Sequence, residues 1–425
     1  MEDDKNEIED DIFTKENIDP TKEGSMELVR TKKGLLSVLI AIILIFISVA
    51  VILYFIFKTH IDEINYIKAK YKKSPYNLIF DHSYLDSVEK VLVNNVEITK
   101  NNNISFEEND EITIKFNKNL KSLDNLFYEC DTLEEIDLSF LTTDDVITAS
   151  YMFYGCKNLK NLIFGDFITK NLYNISNMFS GCKELEHIDV DIFNNDKIED
   201  ISGLFFGCSR LEKINLGLFN TKNVVNMSKL FSGCSSLSSL NINDAKNFQT
   251  SNVKDMSYMF QNCKELTSLS LTKISTSQTV YMNNMFDSCE KLEQLQINLF
   301  ETSFVLDMGE MFRNCESLKN IDILNFDVKK VGRMDGMFKN CLKLTSLDIS
   351  NFDTNNLKNA SDFLNGCDNL NYIDLSKFNS LNLKFHENFF PDKENVTIIF
   401  NATIFNLSIS EKWNKKDINN KSDYI

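Results

Sequence analysis

Positive charge is in short supply: 45 Lys and Arg face 62 Asp and Glu in 425 residues, for a formal net charge of −17. A protein that tracks nucleic-acid phosphates needs a basic footprint, so no nucleic-acid partner is expected. Catalytic signatures are missing as well. The chain has no P-loop, no His-Glu-x-x-His, no Gly-x-Ser-x-Gly and no Gly-x-Gly-x-x-Gly fingerprint, so neither an enzyme nor a cofactor site is expected. No Cys-x-x-Cys pair exists, and the four histidines (His60, His82, His187, His386) are scattered, which leaves no metal ligand set. His187 reads as a solvent-facing strand residue. Prolines number three, whereas Asn, Lys and Ile are plentiful, which reads as compositional bias and not as function.

Cysteine is missing everywhere except at ten positions: Cys130, Cys156, Cys182, Cys208, Cys234, Cys263, Cys289, Cys315, Cys341 and Cys367. All steps are 26 residues but one, Cys234 to Cys263, which has three more, around Asp244–Thr250. A fixed period of this length marks a solenoid whose repeats bury their apolar faces against one another.

With each cysteine as position 0, a leucine stands at +3 in all ten repeats, from Leu133 to Leu370. Apolar residues at +6 and +8, such as Ile136 and Leu138, have the period of two of a half-buried strand. Phenylalanine is usual at +11, as at Phe167 and Phe352. Upstream, Met256, Met259, Phe260 and Cys263 fall at i, i+3, i+4 and i+7, the spacing of one helical face. Position −8 is mostly Ser, Thr, Asn or Asp, with Tyr281 and Arg333 as exceptions, and reads as an N-cap. Position −1 is mostly Gly or Asn and reads as a helix stop. The expected fold is an α/β repeat solenoid: a leucine-rich-repeat-like array of about ten strand–turn–short-helix units. Its parallel strands, about 4.8 Å apart, would give a sheet on the order of 45–50 Å long.

Residues 34–57 form a 24-residue run without charge, long enough to cross a bilayer as a single transmembrane signal-anchor helix. The segment 1–33 reads as an acidic, disordered, cytoplasmic tail, with eleven acids against three lysines in residues 1–29. Arg30, Lys32 and Lys33 on the first flank favour a cytoplasmic N-terminus and a plasma-membrane or cell-surface location; Lys68, Lys70, Lys72 and Lys73 weaken the count. The remaining chain divides into a partly helical stalk at 58–87, an N-terminal cap at 88–119, ten repeats at 120–385 and a C-terminal cap and tail at 386–425. Val88–Phe116 would cap the first repeat, and residues 395–400 would be the closing strand.

Segments such as 351–378, NFDTNNLKNASDFLNGCDNLNYIDLSKF, and 219–242, FNTKNVVNMSKLFSGCSSLSSLNI, resemble the 26-residue repeat of the BspA-like leucine-rich repeat surface proteins. The resemblance covers about residues 120–380. It implies a leucine-rich-repeat solenoid on a surface protein with a role in adhesion or protein binding. Bacterial members commonly carry a cleavable signal and a C-terminal surface anchor, whereas this chain has an N-terminal apolar segment and no such C-terminal motif.

Stacked cysteines about 4.8 Å apart and pointing the same way suit free thiols better than disulfides, so none is expected. The outward +7 positions Asp137, Asp189, Asp322, Asp348 and Asp374 form the candidate partner-binding face; the alternative is that they solvate the sheet or bond to the next turn. Sequons fall at Asn103, Asn174, Asn226 and Asn359, three of them also expected caps, and at Asn395, Asn401, Asn406 and Asn420, the better glycosylation candidates. The expected function is a non-catalytic, single-pass surface protein that presents the solenoid to a protein or cell-surface ligand. The alternative is a membrane-tethered intracellular scaffold.

Overall fold

The structure, a computed structural model, describes residues 39–40, 42–54, 65–73 and 78–419, in two compact units, Met1–Ile64 and Asn65–Ile425. In the first unit, residues 39–40 and 42–54 are helical and expose their apolar side chains, Phe46 among them. No helix of the described residues is long and apolar enough to cross a membrane. The flanks of the apolar run, 34–38 and 55–57, and the acidic tail at 1–33 lie outside those residues.

The second unit is a stack of coils with a closed end. Its cap contains strands β1 (Tyr66–Tyr71), β2 (Val88–Val93), β3 (Val96–Ile98) and β4 (Glu111–Phe116). β5 (Leu133–Asp137) and β6 (Asn161–Ile163) belong to the first two coils, and the sheet order is β3-β2-β4-β1-β5-β6. β1 lies within the segment expected as a stalk. It pairs antiparallel with β5, so it is β1 that closes the edge of the first coil. Residues 66–71 alternate, with Ile67, Ala69 and Tyr71 buried, and the chain there is β-structure rather than helix. The one helical turn nearby is a short 3₁₀ turn at His82–Tyr84.

Later strands are short and parallel: β7 (Ser268–Ser270) with β8 (Gln294–Gln296), and β9 (Ser346–Asp348) with β10 (Tyr372–Leu375) and β11 (Thr397–Phe400). β11 is not the last. β12 (Asn414–Asp417) pairs parallel beyond it, and the buried Trp413 donates its indole N–H to Lys393 O at 2.7 Å. Residues 385–400 thus make an eleventh coil without a cysteine, marked by the Asn359↔Phe385 bridge and by Asn388 at φ 53°.

The expected short helix does not form. In each of the ten cysteine-bearing coils the residue at −5 is left-handed, as at Asn125 (62°), Tyr151 (57°), Lys229 (58°), Gly203 (60°) and Glu310 (57°), and the residue at −1 is left-handed too. Such a residue costs an L-amino acid about 1–2 kcal/mol, so something must offset it. The offset is a ladder between coils. Phe127 N donates to Met152 O at 2.8 Å, Phe153 N to Met178 O at 2.8 Å and Phe179 N to Leu204 O at 3.0 Å. Positions −7, −5 and −1 donate likewise, as Leu123 N to Thr148 O, Asn125 N to Ser150 O and Glu129 N to Tyr154 O. A helix of one or two turns would leave the N–H groups at −7 and −5 without partners and would spend those at −3 and −1 within the unit, so no ladder would join the coils. The turn points the same Met, Met, Phe and Cys inward, which is why the two structures share one sequence spacing. Position −8 opens this turn, with Asn174, Asp200 and Asp255 accepting from the N–H two residues on.

Two more columns hold the return side. Buried threonines at −13 both accept from and donate to one residue of the next coil: Thr221 with Gln249 (2.7 and 2.7 Å), Thr354 with Asn379 (2.7 and 3.0 Å). Asparagines at −11 donate to the preceding coil, as Asn223 to Asp196 O (2.6 Å) and Asn356 to Lys329 O (2.7 Å). The abundance of asparagine is therefore partly structural and not only compositional. Inside, phenylalanines at −3 stack ring on ring from Phe127 to Phe338, with centroids 5.4–6.0 Å apart.

All ten cysteines are free and buried. From Cys156 on, each Sγ donates to the Phe carbonyl of the preceding coil, as Cys156 to Phe127 O at 3.1 Å. Burial pushes the thiols from Cys130 to Cys341 up, Cys208 to about 12. Thiolate is the reactive form, so Ellman's reagent at pH 8 is expected to find no thiol in the native chain and ten in denaturant. Stoichiometric reaction without denaturant would contradict this packing.

Candidate interaction surface

The strand side of the coils turns positions +2, +4, +5 and +7 outward. Because equivalent positions in adjacent coils lie about 5 Å apart, like charges in one column would repel. At +2 and +4 four neighbouring pairs carry opposite signs instead: Lys160 with Glu134 (3.1 Å), Arg210 with Glu184 (2.6 Å), Lys291 with Glu265 (2.6 Å) and Lys319 with Glu293 (3.4 Å). Such exposed pairs contribute at most about 1 kcal/mol each. They disfavour a slipped stacking more than they strengthen the correct one.

A cleft of about 700 Å³ opens on this face where β1 meets the first four coils. The β1–β5 register sets Lys68 opposite Asp137 and Lys70 opposite Glu135. Lys70 Nζ lies 2.7 Å from Glu135 Oε2, Lys68 Nζ lies 2.8 Å from Glu111 Oε1, and Asn161 Nδ2 donates to Glu135 Oε1 at 3.1 Å. The hydrogen bonds from Lys70 and then Asn161 hold the Glu135 carboxyl below its usual range, and Glu135 in turn raises Lys70. His187 and Arg210 stand on the far side; Arg210 bonds Glu184 and Glu186. Leu162 and Ile163 line the cleft between them, Ile163 being 55% exposed. The result is an apolar strip among paired charges, with hydrogen-bonding groups of both kinds. No group of three His, Cys, Asp or Glu among the described residues could hold a metal ion.

The five expected aspartates are not one site. Asp322, Asp348 and Asp374 stand in consecutive coils, with Asp348 and Asp374 paired in register. Asp137 lies in the cleft, and Asp189 is separated from it by Ile163. Each accepts from the N–H two residues on, as Ser139 N to Asp137 (2.9 Å), Asp191 N to Asp189 (2.9 Å), Leu324 N to Asp322 (3.4 Å), Ser350 N to Asp348 (3.0 Å) and Ser376 N to Asp374 (2.9 Å). These bonds are those of side chains that turn the chain out of the strand. Asn would serve equally, as Asn215 does for Gly217 N. Asp348→Asn is therefore expected to change stability by less than about 0.5 kcal/mol in denaturant titration.

Among the sequons, Asn103, Asn395 and Asn406 are exposed. Asn406 accepts from Ser380 Oγ, and Asn401 is half-buried and accepts from Thr403 N and Oγ1. Asn174, Asn226 and Asn359 turn their side-chain oxygens to the N–H of the sequon serine, and Asn420 lies outside the described residues.

Sequence reasoning missed Lys68, Lys70 and Ile163. The first two stood in the assumed stalk, although the alternation of residues 66–71 was there to be read. Ile163 breaks the Asp/Asn habit at +7, a signal visible once the column is aligned.

Residues 121–240, 235–345, 280–400 and 318–425 match the family described as Mycoplasma protein of unknown function, DUF285. Residues 67–170 match the BspA type leucine rich repeat region. No curated protein matches the chain. Among solved structures, a leucine-rich repeat protein from Bacteroides ovatus ATCC 8483 is similar at 16% identity over 63% of this chain and 75% of that one, with a TM-score of 0.35. The TLR13–ssRNA13 complex is similar at 15% identity over 70% of this chain and 52% of that one, with a TM-score of 0.23. The chain belongs to the DUF285 family, and its coils are BspA-like leucine-rich repeats.

Proposed function

We propose that this chain is a non-catalytic binding protein that captures a protein partner on its strand face, with the cleft between β1 and the first coils as the anchor point. Ile163 carries the reading. A half-exposed isoleucine stands where every other repeat places a polar residue, in five of them the turn-forming aspartate, and paired charges surround it. A largely apolar centre inside a polar rim is the anatomy of a binding hot spot. The apolar run at 34–57 would hold the chain in a membrane, with the coils outside the cell.

Ile163→Asp restores the residue type of other coils and is expected to leave the melting curve unchanged. It should weaken capture of a partner isolated with the full chain by at least tenfold, the scale of one hot-spot side chain. Unchanged affinity would remove the cleft from the interface. Protease protection of a C-terminal tag in intact cells tests the placement of the coils.

A further inference from the structure

On the return side of the coils, positions −12, −11 and −9 point outward in every coil, flanking the buried residue at −10. From Lys222 to Lys384 these positions hold six lysines and no acid, in a chain whose net charge is −17. All six lysines are exposed, and none is in an ion pair among the described residues. The strand face differs: Lys160, Arg210, Lys291 and Lys319 there are tied to carboxylates. Acids beside this edge turn back to their own loops: Asp255 accepts from Ser257 N, Asp327 from Lys329 N and Asp353 from Asn355 N. Exposed apolar side chains are interleaved at the C-terminal end of the edge: Phe304 (50%), Leu306 (45%), Leu381 (53%) and Phe385 (54%). Lys330 Nζ sits 4.1 Å from the centre of the Phe304 ring.

We propose that this edge, centred on Lys329, Lys330, Lys358 and Lys384, docks on an anionic lipid bilayer surface. Parallel bridges at −8 run unbroken from Ser122 to Phe385, so the neighbouring outward positions form rows along the stack. Seven coils extend the row for about 30 Å, and a row of this kind meets a plane at all of its points together. Lysines over headgroups with Phe and Leu at the acyl boundary are the two components of interfacial binding. Nucleic acid fits less well: of the four apolar side chains Leu306 and Leu381 offer no ring for base stacking, the Phe304 ring is already met by Lys330, and Arg333, the guanidinium on this edge, is engaged by Asp307 and Asp335. The proposal concerns the face away from the cleft and stands or falls apart from the partner reading.

The test uses the full chain. Its native thiols are buried, so a thiol introduced by Leu381→Cys takes an environment-sensitive dye selectively. Vesicles containing phosphatidylglycerol are expected to shift the dye emission to the blue, with a weaker response to pure phosphatidylcholine and none from the same dye at Ser239→Cys on the strand face. Lys358→Gln should lower the docked-to-free ratio about fivefold, the share of one lysine at an anionic surface, with the melting curve unchanged. An equal response to both lipids, or no response at position 381, overturns the proposal. So does a larger response to single-stranded RNA without vesicles, which would make the edge a nucleic-acid surface.

Discussion

Replacing Asp287 by alanine is expected to destabilise the coils by about 3–5 kcal/mol, the range for breaking a buried ion pair from one side. The Asp287 side chain is 1% exposed. It accepts from Arg313 Nε (2.9 Å) and Nη2 (2.8 Å), Gln261 Nε2 (3.0 Å) and Ser288 Oγ (3.0 Å). Those donors come from three successive coils, its own in the middle. Its loss strands donors that water reaches poorly, and Arg313 keeps only Glu310, at 2.8 Å. The joint replacement Asp287→Leu with Arg313→Met removes both charges and should cost far less than Asp287→Ala alone. Denaturant titration of the three variants checks this. If Asp287→Ala stayed within 1 kcal/mol of the parent, the network would be ornamental.

Phe286→Ala is expected to cost a similar amount, about 3–5 kcal/mol for the cavity, with up to about 1.5 kcal/mol more for lost stacking. Phe286 is fully buried, its ring 5.7 Å from Phe260 and 5.6 Å from Phe312. Because the array is held by nearest-neighbour interfaces, damage here weakens two of them at once. Unfolding should then split into two transitions, one for each side of the gap. Phe286→Leu should be far milder. The tenth coil already places Leu364 in this column, while Phe363 supplies a ring one position earlier, 5.5 Å from Phe338. A single sharp transition in Phe286→Ala would show that the column is not a chain of local interfaces.

Much of the fold was legible because the period itself fixes which side chains share a column. The Cys, Leu and Phe positions needed only alignment. What was not legible is local conformation. An apolar spacing of i, i+3, i+4, i+7 records which residues face inward, and a helix and a chain of turns with left-handed residues at −5 and −1 satisfy it equally. The choice was made by hydrogen bonds to the next coil, which no single repeat contains. The cap was missed at β1 for a related reason: its role depends on Lys68 and Lys70 meeting Asp137 and Glu135, residues far along the chain. The cleft followed from that pairing. The aspartates at +7 were conspicuous as charges, whereas their hydrogen bonds to the N–H two residues on emerge only from the geometry.

One coil is longer than the rest, and where it is longer tells how the molecule tolerates change. Phe248 keeps its place in the stack, 6.3 Å from Phe219, and Thr250 keeps its hydroxyl ladder to Ser275. The extra length is confined to residues 243–247, whose backbone rejoins the array where Asn247 O accepts from Thr221 N. Every other segment of a coil is tied on both sides at fixed phase, so an insertion there would misalign all that follows. The outer bend after the strand is the one seam where foreign peptide could be spliced without breaking phase. Grafted there in successive coils, short epitopes would emerge at a regular pitch, and the protein would serve as a molecular ruler for displaying them.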